Sequence, residues 1–175
     1  SLVVISILWL YLLNPNNGLL NALLEKVGIA KQPFLTSPKQ AMYAIVFVSA
    51  WQGAGYQMLL FLGGLQNIPQ DVYEAAEIDG VSKWNQFRYI TMPLLKPTAL
   101  FVLLTTLISA FKLLVQPMVM TQGGPANSTI TMVYYIYRKG FTDRLVGYSS
   151  SIALVFTTLI GVISLVQRRV LKEDE

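Results

Sequence analysis

Cysteine and histidine are both missing from the 175 residues, and charged side chains make up only 13% of them. Without cysteine there are no disulfides, thiolate nucleophiles or thiolate metal ligands, and the redox compartment leaves no trace. Without histidine the commonest general base and metal ligand is gone as well. The carboxylates sit in polar loops and in the tail rather than in facing pairs, so acid–base catalysis has no evident machinery and an enzyme is a poor reading. No G-x-x-x-x-G-K-[ST] stretch occurs, so a nucleotide driving this protein would have to bind another chain. The formal net charge of +4 gives no reason to propose nucleic acid. What is abundant is apolar, since 54% of the residues are hydrophobic. The charged fraction is about half the ~25% typical of a soluble domain. The chain belongs in a bilayer.

Segments 1–13, 41–65, 97–120 and 145–167 are the apolar runs. The first is too short for the ~20 residues a helix needs to cross, and neither an initiator methionine nor a basic segment precedes it. A span cut from a longer chain is the expectation. Asn14-Pro15-Asn16-Asn17-Gly18 then breaks the helix, and Leu19, Leu20, Leu23 and Leu24 predict a short amphipathic helix at the membrane surface.

The run 41–65 carries no charge at all and is long enough to span with some tilt. Ser49, Gln52, Gly53 and Tyr56 recur at i, i+3, i+4, i+7, so one stripe of this helix is polar or small and should face protein or water. Two readings stand: helix packing through Gly53, Gly55 and a hydrogen bond from Gln52, or lining of a substrate path. The run 97–120 holds one charge, Lys112, roughly 22 Å beyond Pro97 at ~1.5 Å per residue. There it either snorkels to the far interface or faces a wet path. Thr105, Ser109, Lys112 and Gln116 share one helical face, which favours the path, and Pro117 after it frees a carbonyl in the next turn.

Between 118 and 146, Thr121-Gln122-Gly123-Gly124-Pro125 reads as a turn. Ile130 to Tyr137, rich in tyrosine and too short to span, reads as an interfacial or re-entrant helix. Asn127-Ser128-Thr129 matches a glycosylation sequon, a tripeptide that chance supplies often. The last span ends at Arg168 and Arg169, and a charged tail follows. Lysines and arginines divide equally between the two sides, Lys83, Arg88, Lys96, Arg168, Arg169 and Lys172 against Lys26, Lys31, Lys39, Arg138, Lys139 and Arg144, so loop charge does not set the orientation.

One polar stretch, 66–96, has internal organisation. Pro69, with Asp71 and Glu74 behind it, predicts a short helix from about Gln70 to Asp79. Gly80 supplies the positive φ that closes it, and Ser82 caps a second helix bearing Trp84, Phe87 and Ile90 that ends before Pro93. Val72, Ala75 and Ala76 give the first helix a shallow apolar face among acids. That face suits docking into a partner's groove, and equally a solvated amphipathic loop.

The pattern Glu74-Ala75-Ala76-x-x-x-Gly80, nine residues, then Ile90-x-Met92-Pro93, resembles the cytoplasmic signature loop of the membrane subunits of binding-protein-dependent ABC importers. Met92 departs from the usual leucine, a nearly volume-conserving change. Trp51-Gln52-Gly53, Leu65-Gln66-x-Ile68-Pro69, Gly123-Gly124-Pro125-x-Asn127-Ser128-Thr129, Tyr135-Ile136-Tyr137, Phe141 and Gly147-Tyr148 narrow the likeness to carbohydrate-uptake permeases of the maltose and glycerol-phosphate types. Two departures fall near that family's substrate path: Lys112 where glutamine is common and Val115 where aspartate is common.

The resemblance implies an all-α polytopic bundle, the type I importer transmembrane domain lacking its N-terminal helices, with all of 1–175 in one domain. It implies that Glu74, Ala75, Ala76, Asp79, Gly80, Ile90 and Pro93 couple to an ATPase, and that Ser49, Gln52, Gly53, Tyr56, Ser109, Lys112 and Gln116 are candidates for the substrate path. Two copies of an ATPase holding ATP and Mg, a second similar permease subunit and an extracytoplasmic solute-binding protein would be the partners, with no cofactor or metal on this chain. The loop 66–96 and the C-terminus would be cytoplasmic. An importer of a non-sugar solute, or a membrane scaffold without transport, are the alternatives.

Overall fold

A computed structural model describes residues 1–172, which are helical with no strand among them. The last residues of the expected charged tail lie outside the described residues. Helix α1 (Leu2–Leu12) leads to a tight turn in which Asn14 Oδ1 accepts from the amides of Asn16 and Asn17. Helix α2 (Leu19–Lys26) follows, tied down by a residue that an apolar reading passes over. Asn21 is buried, and its amide bonds Pro15 O and Gln32 O while Gln32 N bonds its Oδ1, so a polar side chain latches α2 to both flanking loops.

Helix α3 (Ala41–Gln66) occupies the expected first span. Ala41, Ile45 and Val48, at i, i+4, i+7, are fully buried, and the latter two form the core with Leu13, Leu35 and Met120. Trp9 packs edge-on against Phe47 and Trp51 beside it. The core therefore sits around the N-terminal half of α3. Large apolar side chains elsewhere on α3, such as Tyr43, Met58 and Leu62, are exposed, as lipid-facing or subunit-facing positions would be.

Helix α4 (Gln70–Ile78) and α5 (Lys83–Gln86) form the polar unit. The second helix does not end before Pro93. It widens into a π turn (Phe87–Thr91) and continues as α6 (Met92–Phe111). Pro93 has no N–H, and its ring clashes with a carbonyl in an ordinary α turn. The i→i+5 turn directly before it, closed by Met92 N to Phe87 O, gives that ring room, so the helix passes through.

The expected third run is not one helix either. It stops at Phe111, and a bend at 112–114 precedes α7 (Val115–Met120). Pro117 cannot donate to Leu113 O, and that carbonyl instead accepts from Thr131 Oγ1 at 2.5 Å, so the chain has left helical geometry where the proline withholds its bond. The 121–131 loop holds this break. Thr129, fully buried, pairs with Thr121 Oγ1 at 2.7 Å and donates to Gly124 O at 2.9 Å.

Helix α8 (Met132–Tyr137), a second π turn (Arg138–Thr142) and α9 (Val146–Lys172) complete the chain. Ser149 Oγ donates to Ile136 O at 2.8 Å, fastening α8 to α9. Three stretches, Ala41–Gln66, Lys83–Met120 and Val146–Gln167, are long and apolar enough to cross a membrane.

Candidate functional site: the coupling unit and the polar level of the bundle

The α4–α5 unit is built from its sequence outward. Asp71 sits in the first turn of α4, near the positive end of the helix dipole. At the other end Gly80 takes a φ of 70, in the left-handed region. Val81 N bonds Ala76 O at 2.9 Å and Gly80 N bonds Glu77 O at 3.0 Å, the paired closure of a Schellman turn. Ser82 then caps α5 by accepting from Asn85 N at 3.4 Å, as its position predicts. Glu74, Ala75, Asp79 and Gly80 are exposed, Ala76 is buried on the inner side, Ile90 is half-buried in the π turn and Pro93 is exposed. An exposed ion pair joins Lys83 to Glu77. Glu74 and Asp79 thus lie on the outer surface while Ala76 lies on the inner one.

Three further residues fasten the unit. Tyr73 Oη and Thr91 Oγ1 lie 2.8 Å apart, joining α4 to the end of the π turn. Thr91 Oγ1 lies 3.4 Å from Gln86 O, and Gln86 Nε2 donates to Val81 O at 3.1 Å. Gln86 and Thr91 are both buried. The sequence offered one signal for them: polar residues on the inner side of a helix otherwise carrying Trp84, Phe87 and Ile90.

The polar stripe of α3 lies between two packed faces. At ~100° per residue, Ser49, Gly53 and Tyr56 fall between the core face of Ile45 and Val48 and the face that meets α6, and Gln52 continues the azimuth of the core face one turn beyond it. That second face is marked by Gln57 Nε2 donating to Thr106 Oγ1 at 2.8 Å, and by Gly64, where a Cβ would come within 2.5 Å of Thr98 Oγ1. Packing of α3 on α6 thus runs through Gln57 and Gly64; Gly53 and Gly55 leave open space around an added Cβ or only ordinary contact. Gln52 and Tyr56 are exposed, Ser49 and Gly53 half-buried, and the Ser49 hydroxyl turns back to Ile45 O.

The two helices run antiparallel, with Gly64 level with Thr98 and Gln57 level with Thr106. One turn further in the same register, Gly53 comes level with Ser109, and Leu113 joins the core beside Ile45 and Val48. Ser109 and Lys112 are exposed at this level, Lys112 as the residue closing α6, near the carbonyl end of its dipole. The single face expected for Ser109, Lys112 and Gln116 does not exist, because the break at 112–114 intervenes: Gln116 is buried in α7, away from the exposed pair. In this register Gln52 and Gly53 come nearest the level of Ser109, Ser49 and Tyr56 lie about a turn to either side, and Gln116 lies beyond the break in α7.

On α8 and its π turn, Lys139 donates to Asp143 at 2.7 Å and lies over the Tyr135 ring. That bond raises the lysine and holds the Asp143 carboxyl below its ordinary value, against an opposing effect of burial and with a lesser contribution from Coulombic attraction.

The described residues are thus helical, with three stretches long and apolar enough to cross a membrane and the polar α4–α5 unit between the first two. Residues 1–172 match the family described as the binding-protein-dependent transport system inner membrane component, and the chain belongs to that family. It is 36% identical over 174 residues to the probable ABC transporter permease protein YurN of Bacillus subtilis, covering 98% of this chain and 60% of that protein. It is 35% identical to the arabinooligosaccharides transport system permease protein AraP of the same organism, covering 85% and 48%, and 37% identical to the sn-glycerol-3-phosphate transport system permease protein UgpA of Shigella flexneri, covering 95% and 56%. Among solved structures, a bacterial ABC transporter that imports the acidic polysaccharide alginate superimposes with TM-score 0.82 at 24% identity, over 99% of this chain and 61% of that one. The chain spans between 48% and 61% of the length of these relatives.

Proposed function

We propose that this chain is part of the permease subunit of an ATP-driven importer that moves a sugar, polyol or sugar phosphate across the cytoplasmic membrane. The observation that carries the reading is the continuous match of residues 1–172 to the transport family, joined to relatives whose names specify oligosaccharide and glycerol-phosphate cargo. No covalent chemistry is assigned to it; ATP and Mg are held by a separate ATPase, two copies of which serve this subunit and a second, similar permease. A solute-binding protein delivers the cargo, a reading supported by the alginate importer solved with its periplasmic protein loaded with an alginate pentasaccharide.

In this reading Glu74, Ala75, Ala76, Asp79, Gly80, Ile90 and Pro93 form the surface and frame that meet the ATPase, so the α4–α5 unit and the C-terminus are cytoplasmic. The exposed acids of α4, with Val72 and Ala75 exposed beside them and Ala76 turned inward, suit a groove with a basic rim. Ser49, Gln52, Gly53, Tyr56, Ser109 and Lys112 line the path at the level where α6 ends. ATP-driven closure moves the coupling unit, and the spans on either side rock around that level.

The test is solute-stimulated ATP hydrolysis by the complete complex in lipid nanodiscs, with its binding protein offered sugars, sugar phosphates, amino acids and inorganic phosphate. Stimulation by a carbohydrate supports the reading. Stimulation by amino acid or phosphate alone overturns the cargo, and failure of any ATPase to co-purify overturns the importer.

A further inference from the structure

We infer that the Tyr73–Thr91 hydrogen bond is the strut that makes α4 and α6 one lever, with Tyr73 and Thr91 as positioning residues for coupling; this rests on the coupling reading above. Helix α4 is too short to be stable by itself, and both its ends are loops, 67–69 and 79–82. Something must fix its angle to α6. Its apolar side is thin: Ala76 is buried, but Val72 is exposed and Ile78 almost fully so. The Lys83–Glu77 pair is on the surface, where ion pairs hold little. Gln86 steadies the turn at Val81 rather than α4 itself.

Tyr73 reaches past all of these, from the first half of α4 to a buried residue eighteen positions on. Either hydroxyl can donate in this pair, and Thr91 Oγ1 also has Gln86 O at 3.4 Å as an acceptor. If either residue loses its hydroxyl, the other keeps one without its partner. Thr91 is the last residue of the π turn, and α6 runs from it without a break to Phe111. That is a rod of ~30 Å at ~1.5 Å per residue. A displacement of α4 that this bond transmits therefore arrives at Lys112, where α6 ends. A displacement it does not transmit is absorbed in the loops.

The experiment compares Tyr73→Phe, Thr91→Val and Thr91→Ser in the complete complex reconstituted in proteoliposomes, reading solute taken up per ATP hydrolysed, ATPase binding, and hydrogen exchange of the α4 amides. One buried hydrogen bond corresponds to a change of about three- to ten-fold. Tyr73→Phe and Thr91→Val should lower uptake per ATP by that factor with ATPase binding unchanged, and α4 should exchange faster. Thr91→Ser, which keeps the hydroxyl, should stay near the parent, and the double variant should be no worse than the worse single. Parental uptake per ATP in Tyr73→Phe, a Thr91→Ser as defective as Thr91→Val, or losses that multiply in the double variant would each overturn the strut. Should the parent complex neither bind an ATPase nor transport, the coupling reading is what fails. Exchange then decides the strut separately, since unchanged α4 protection in Tyr73→Phe overturns it and faster exchange in both variants upholds it.

Discussion

Gly80 holds a positive φ with nothing within 4 Å of where a Cβ would stand, so a substitution there meets a conformational penalty and no clash. The penalty for an L-residue in this region is roughly 1–2 kcal/mol, least for asparagine and greatest for a β-branched side chain. Gly80→Val should lower the thermal midpoint of the purified protein and weaken ATPase assembly or uptake, while Gly80→Asn should lie nearer the parent in both. Equal behaviour of the two variants would mean that the turn relaxes out of its Schellman geometry at no cost. At Lys139 and Asp143 the expectation concerns pH. A carboxyl held below its ordinary value of 3.8 stabilises the fold above that pH and stops doing so as pH falls through the lowered folded value. A lysine raised above 10.5 stabilises below that pH and stops doing so as pH rises through its raised value. Both groups lie near the surface, so the gain is small. Melting of the parent should exceed that of Asp143→Asn by a constant margin at neutral pH, and the margin should close in acid below pH 3.8.

At the scale of elements, the break between α6 and α7 shows what a hydropathy reading passes over. The residues at the bend, Lys112-Leu113-Leu114, contain no glycine or proline, and Leu113 is apolar enough to join the core. Its cause lies elsewhere, in Pro117 four residues beyond Leu113 and in Thr131 eighteen residues beyond it, reached only because the 121–131 loop folds back. The π turn before Pro93 is the same kind of case: the local rule that a helix ends before proline is sound, and it is overridden because a widened turn costs less than ending a helix that must run on into the bilayer. By contrast α3 was legible to within a residue at its C-terminal end, because an uncharged run of that length has one stable solution in lipid. Gly80 and Ser82 were legible because turn closure and capping are decided within four residues. The break gives a prediction of its own. Thr131→Val leaves Leu113 O without its donor, which should cost about 1–3 kcal/mol in the parent background. Adding Pro117→Ala supplies an N–H that can take the same carbonyl in a restored helical turn, so the second change should recover part of the loss in thermal melting. Additive losses would show that Thr131 acts on something other than the carbonyl freed by Pro117.

For the whole molecule, the residues proposed for coupling and those proposed for the path lie toward opposite ends of α6, and the bundle's register decides which of them belong together. Sequence spacing put Ser109, Lys112 and Gln116 on one helix face, and Ser49, Gln52, Gly53 and Tyr56 on another. It could not say that the first set is cut by the break, or that the antiparallel register marked by Gln57–Thr106 brings Gly53 level with Ser109. That arrangement separates a path lysine from a snorkelling one. A lysine reaching for the interface has no reason to share its surroundings with Gln52, whereas a path lined by both α3 and the end of α6 exposes them to the same water. The chain has no cysteine, so single cysteines at 52, 109, 112 and 116 can be labelled with a water-soluble thiol reagent without background from this subunit. In the complete transporter, Gln52→Cys, Ser109→Cys and Lys112→Cys should react readily and be protected together by bound solute, and the buried Gln116→Cys should react slowly with or without it. Lys112→Gln should meanwhile alter uptake or its solute range while membrane insertion stays normal, since the change adds no cost in lipid. Protection at 52 and 109 but not at 112, with Lys112→Gln transporting like the parent, would place the lysine at the interface and leave the path to α3 and Ser109.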